Sequence, residues 1–287
     1  MFEIKISYTH ILVIGNGFDL NMNLKTGYTD FIKSDEFVYL TETKNQLAIY
    51  LKAQHELRNW VDIENELKKY SNSFILKDGK DSFEDDFNSL SNALQSYLNI
   101  IDYSNINRES YAYTLLNSLS KNEFLILDFN YTNTSRIILS ELGFFESEIN
   151  DRIIKVHGSL NEKQIIFGVE DGALIKPEHV FLRKAFNKGF KGVNVNSALN
   201  RAQELHFFGH SLGETDHMYF DNFFPEISHI RNIASRNINL YYYGNDGYKN
   251  LFTQLDILTR KRLSCFKQEN NFKAIDASKK MRTSLSQ

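Results

Sequence analysis

Between residues 11 and 14 four apolar side chains, Ile-Leu-Val-Ile, follow one another with no polar position between them. So short and uniform a run predicts a strand covered on both faces, as in a parallel sheet. Further runs of similar form lie at 124–127 (FLIL), 153–156 (IIKV), 205–208 (LHFF) and 238–243 (INLYYY). Between them the period becomes helical, notably over 133–141 and 217–233. Strands alternating with helices predict an α/β domain with a mostly parallel sheet and right-handed crossovers.

The interval from 35 to 120 breaks that alternation. Phe83, Phe87, Leu90, Leu94, Tyr97, Leu98 and Ile101 recur at helical spacing, and 47–69 reads the same way. A helical module inserted over 35–120 is expected, leaving 1–34 and 121–259 to build the sheet domain. Residues 260–287 hold eight lysines and arginines against Glu269 and Asp276 with little apolar period. They read as a basic C-terminal tail, a solvated helix or frayed end.

Charge and cysteine content narrow the chemistry. The net charge of −3 supplies no protein-wide field to draw the chain to nucleic acid or an anionic membrane. No stretch is long enough to span a bilayer, and no signal-like segment opens the sequence, so a cytoplasmic protein is expected. The single cysteine excludes an internal disulfide and any multi-cysteine metal site, and no metal is expected.

Ligands of open α/β sheets bind beyond the carboxyl ends of the strands. Four of the five apolar runs end in candidate residues: Gly15-Asn16-Gly17-Phe18-Asp19, Asp128-Phe129-Asn130-Tyr131-Thr132, His157-Gly158-Ser159 and Gly209-His210-Ser211-Leu212. Each has a plain structural account. The glycines suit a turn, Asn130 suits a helix cap, His157 suits a hydrogen-bonded ring at a sheet edge, and Ser211 suits an N-cap. Their shared place after a strand is the signal. In NWVDIENEL (59–67), a helical reading sets Glu64 on the apolar face of Trp60, Ile63 and Leu67. A carboxylate there needs a salt-bridge partner or a place in the strand-end cleft.

Taken in order, ILVIGNGFDLNMNLKTGYTDF, NWVDIE, FNYTNT, KVHGSL and FFGHSLGETDHMYF resemble the AbiH family of bacterial phage-resistance proteins along nearly the whole chain. The same set is similar to the loops of sirtuins. Gly15-Asn16-Gly17 leads to Asp30-Phe31, followed by Phe129-Asn130, His157-Gly158 and Gly209-His210-Ser211. That resemblance implies a Rossmann-like NAD domain. The glycine loop (Gly15 to Asp19), Asp30, Phe31, Tyr131, Thr132 and Gly209 to Leu212 would line the dinucleotide. Asn130 would face the nicotinamide ribose, and His157 would be the base. Thr132 stands where sirtuins carry the aspartate that contacts nicotinamide. The four-cysteine zinc module of sirtuins cannot form. Both departures point away from peptide deacylation and leave simple cleavage of NAD open.

The expected reaction is hydrolysis of the nicotinamide–ribose bond through an oxocarbenium-like state. Asn130 would orient water or a ribose hydroxyl, His157 would take a proton, and Asp19 or Glu64 would stabilise the cationic sugar. Two other readings stay open: a sensor of NAD, ADP-ribose or a related nucleotide, and an interaction module of a defence complex. Expected partners are NAD or a related nucleotide, a second copy of the chain, and a phage-derived trigger or defence protein. Neither a membrane nor nucleic acid is expected.

Overall fold

A computed structural model describes residues 8–58, 62–75, 82–229 and 234–279. Its centre is a six-stranded sheet built from β1 (His10–Ile14), β2 (Phe124–Asp128), β3 (Ile153–Lys155), β6 (Glu204–Phe208), β7 (Asn237–Tyr242) and β8 (Asn271–Asp276), in the order β3-β2-β1-β6-β7-β8. A separate two-stranded ribbon pairs β4 (Gly158–Ser159) with β5 (Gln164–Ile165). Every pairing in the large sheet is parallel. Counted along its own strands, the sheet runs 3-2-1-4-5-6, the doubly wound order of dinucleotide-binding folds. The order reverses between β1 and β6, which pair with Ile14 opposite Phe208.

Burial explains the uninterrupted apolar runs. Ile11, Val13, Leu125, Leu127, Leu205 and Phe207 point into one core with Leu199, Phe224 and Leu255. Leu12, Ile14, Ile126 and Phe208 point into the other with Leu115, Leu116, Ile138 and Leu139. Alternate residues of one strand thus serve opposite faces, so most positions are apolar, and the buried exception on β6, His206, meets the Tyr241 hydroxyl at 3.0 Å.

A third core joins four helices, Asp35–Glu42, Gln46–Arg58, Ile63–Ser73 and Phe83–Asn99, to the segment around Leu160–Leu182. Phe83, Phe87, Leu90, Leu94, Tyr97 and Leu98 are its buried face on the last of these helices, as their spacing predicts. The stretch read as one helical pattern at 47–69 holds two helices, and Trp60 lies outside the described residues. The helix Tyr111–Leu119 packs with the sheet through Leu115 and Leu116, so the separately packed helical block ends before it.

Two further expectations change. The segment 217–233 is broken into a 3-10 turn, Glu214–Tyr219, and a short helix, Phe223–Ile227, with 230–233 outside the described residues. Residues 263–276 of the basic tail are part of the fold, and 280–287 lie outside the described residues. Leu263–Glu269 is a helix with Phe266 buried, and β8 follows as a parallel edge strand. An edge strand covered incompletely tolerates Asn271, Lys273 and Asp276, so its pattern is not continuously apolar.

Candidate active site

The glycine loop follows β1 directly. Gly15 donates to the Phe208 carbonyl at 3.2 Å, Gly17 to the Gly209 carbonyl at 3.0 Å, and Phe18 to the Gly15 carbonyl at 2.9 Å. The loops after β1 and β6 are therefore stitched together at the point where strand order reverses. A methyl group on Gly17 would stand 2.6 Å from Gly209 Cα, and Gly209 has φ of +66°. These glycines let two backbones touch. In the loop expected to line the dinucleotide, the amides of Gly15, Gly17 and Phe18 are thus engaged within the protein.

Other residues assigned to the nucleotide also have structural partners. The Asn16 side-chain oxygen accepts from Thr26 at 2.6 Å. Phe18 is buried with its ring edge-on to Phe208. The Asp30 carboxylate accepts from the Gly27 amide at the start of its own helix, and Phe31 lies in the third core against Phe37 and Tyr97. Exposed Ser211 accepts from the Gly213 amide. Tyr131 donates to the Ile166 carbonyl at 3.3 Å.

Two polar clusters stand at the carboxyl end of the sheet. In the first, Asp19 is fully buried and accepts from Thr132 Oγ1 at 2.6 Å and from Asn130 Nδ2 at 3.3 Å. Asn130 Nδ2 also lies 3.1 Å from the Gly15 carbonyl. Burial pushes the Asp19 carboxyl up to about 7, against the hydrogen bond from Thr132. Asp128, beside it, is held by Ser135 at 2.6 Å and Lys155 at 2.7 Å. Lys155 also donates to the carbonyls of Asn130 and Thr132, tying this loop to β3.

The second cluster gathers around Asp216. His157 Nε2 lies 3.2 Å from its Oδ1, His210 Nε2 lies 3.3 Å from its Oδ2, and Lys184 Nζ lies 3.0 Å from Oδ1. On its other side Lys184 Nζ meets Glu64 Oε2 at 3.3 Å. The Lys184 and His157 side chains are 2% and 5% exposed, while Asp216 is 15% exposed. Neither histidine Nε2 is aligned for a hydrogen bond, and the buried Tyr219 hydroxyl has no partner among the described residues. Phe129 packs edge-to-face on both imidazoles and on Tyr219.

One ammonium between two carboxylates decides their charges. Burial opposes ionisation of Asp216, but Lys184 and His157 outweigh it and hold that carboxyl well below its usual range. Burial pushes Glu64 up to about 7, and the charge on Asp216 adds to the effect against Lys184. Burial and the Lys184 charge lower the His157 imidazole, with Asp216 opposing them. Lys184 itself is raised, because its carboxylates outweigh its burial. Buried groups with such shifts, beside buried polar atoms without aligned partners, mark a functional-site candidate.

Glu64 thus enters the site as the partner of a lysine that no sequence pattern singles out. Lys184 and Tyr219 carry no strand-end signal. Asp216 is visible as the acid closing GHSLGETD, and its spacing from His210 is the available clue. Among the described residues, no group of three or more His, Cys, Asp or Glu is arranged to hold a metal. Among the same residues, no helix is long and apolar enough to cross a membrane.

The sheet order and the clusters at its switch point define an α/β protein of the doubly wound, Rossmann-like type with a buried, charged site. The family described as Bacteriophage abortive infection AbiH matches residues 11–235, and the chain belongs to that family. No curated protein and no solved structure matches it.

Proposed function

We propose that this member of the abortive-infection family binds NAD and hydrolyses the bond between nicotinamide and ribose. The observation that carries the reading is the set of buried polar atoms without aligned partners, His157 Nε2, His210 Nε2 and Tyr219 Oη, around Asp216. They belong to loops and turns that follow the carboxyl ends of the strands, where this sheet type takes its ligands. The order of the strand-end loops, with its likeness to sirtuins, supplies the substrate class.

The residues fit the sugar end of NAD better than its phosphates. Asn130 Nδ2 is fixed by Gly15 and Asp19, which leaves Oδ1 to accept from water or a ribose hydroxyl. Asp19 therefore acts through Asn130, by holding its amide. His157 is the base, and its lowered affinity for protons keeps it neutral at the pH of the cell. Glu64 and Asp216 supply negative potential to the developing oxocarbenium ion, balanced by Lys184. The diphosphate lies away from the engaged amides of Gly15, Gly17 and Phe18.

The test is nicotinamide release from NAD by the purified protein, with and without extract of phage-infected cells. Release above the no-enzyme control supports the hydrolase. The buried packing of the site favours a second reading, a sensor that binds NAD or ADP-ribose without turnover. Nucleotide binding with no release in either condition selects the sensor and rejects hydrolysis.

A further inference from the structure

His157 and His210 share one carboxylate, yet the groups around their rings give them different capacities. We propose that Asp216 positions His157 as the base by keeping that ring's proton on Nε2, so that Nδ1 is the atom that accepts a proton. On the same account His210 is held as a donor and cannot act as base. The catalytic consequence rests on the hydrolase reading. The protonation pattern does not.

The assignment comes from counting donors and acceptors. His210 Nδ1 lies 3.0 Å from the Leu212 amide, a group that can only donate. The nitrogen facing it must carry a lone pair, so the neutral ring holds its proton on Nε2, the atom 3.3 Å from Asp216 Oδ2. Leu212 has φ of +51°, uncommon for a residue with a side chain, and the turn around it brings this amide to the ring. Both nitrogens of His210 are thereby assigned, and neither is left to take a proton from water.

His157 offers the opposite balance. Its Nε2 is 3.2 Å from Asp216 Oδ1, and Lys184 at 3.0 Å keeps that carboxyl ionised. A lone pair on Nε2 would face an anion, whereas an N–H there is attracted to it. The proton therefore belongs on Nε2, and the lone pair on Nδ1. Among the described residues nothing donates to that Nδ1. Asp216 touches neither base atom, so it is a positioning residue.

In the reaction the water oxygen forms a bond to ribose C1′. The bond from C1′ to the pyridine nitrogen breaks, and its electron pair stays with the departing nicotinamide. The proton lost by water passes to His157 Nδ1 and later to solvent. NAD and water thus give nicotinamide, ADP-ribose and one proton.

The test is nitrogen-15 NMR of the full chain labelled at histidine, with signals assigned by His157→Gln and His210→Gln. Both rings of the wild type should show the proton on Nε2 above their titration range. A wild-type spectrum with the His157 proton on Nδ1 overturns the proposal, and that result needs no variant of Asp216 to fold. In Asp216→Asn, nicotinamide release should fall by about two to four orders of magnitude with a smaller change in KM.

The acid limb of the pH profile should also move to lower pH in that variant. The charged and titratable groups facing His157 are Lys184, His210, Asp216 and Tyr219, and among the charges that act on it only Asp216 favours the imidazolium. An unmoved acid limb in Asp216→Asn overturns the proposal. Wild-type protein that carries both protons on Nε2 but never releases nicotinamide upholds the positioning and rejects the hydrolase.

Discussion

Gly17 donates its amide to the Gly209 carbonyl across 3.0 Å, and a Cβ on either residue would collide with the backbone of the other loop. This contact joins the loops after β1 and β6 at the switch point, beside the Gly15 carbonyl that meets Asn130 Nδ2. Gly17→Ala should destabilise the fold by about 1–3 kcal/mol, as expected of overpacking. Gly209→Ala should cost more, because φ of +66° adds strain to the collision. Denaturant unfolding checks both. Full stability with lost nucleotide binding would instead place the glycines against the nucleotide.

Asp19 gives a pH dependence with a defined sign. Its carboxyl ionises near the usual 3.8 in the unfolded chain and at about 7 in the buried site. Between those values the folded state binds more protons, so this group's contribution to stability is full below pH 4 and lost as pH rises through 7. Asp19→Asn removes the titration. From pH 5 to pH 7 the variant should gain on the wild type by up to about 3 kcal/mol, at roughly 1.4 kcal/mol per unit. Unfolding curves at the two pH values measure it, and parallel changes in both proteins would refute the buried-acid assignment.

Lys184 is the charge on which the Asp216 cluster depends. Lys184→Met should destabilise by about 3–5 kcal/mol at neutral pH, because it leaves Asp216 ionised without its closest cation. Glu64→Gln should cost less, since Glu64 is pushed up to about 7 and ionises reluctantly. Equal losses in the two variants would show that Lys184 serves both carboxylates alike.

The sheet was legible because β1, β2 and β6 are buried on both faces, and a short, continuous apolar run closed by turn residues suits that environment best. β8 was not, since an edge strand carrying Asn271, Lys273 and Asp276 looks like a charged tail. At the site, His157, Asn130 and Glu64 could be picked out by position after a strand or on an apolar helix face. Lys184 could not, because it reaches Asp216 and Glu64 from an irregular segment with no periodicity to mark it. The glycine pattern was legible as a turn, but its use was not. A sequence cannot show whether a glycine amide meets a phosphate or the Gly209 carbonyl.

His157→Ala should slow nicotinamide release by about two to four orders of magnitude while leaving NAD binding within a few-fold. Asn130→Ala should also lose activity, because the oxygen expected to orient water is gone. Steady-state kinetics of the activated protein resolve the two. Full activity in His157→Ala would remove it from the mechanism.

The most direct measurement of the central claim is the NAD content of phage-infected cells expressing wild-type protein, His157→Ala or Asn130→Ala at equal levels. The account predicts a collapse of NAD with accumulation of nicotinamide and ADP-ribose in the wild type after infection. It predicts NAD close to that of cells lacking the protein in both variants, with protection lost. Protection by the wild type at constant NAD, or equal NAD loss in the His157 variant, would contradict it.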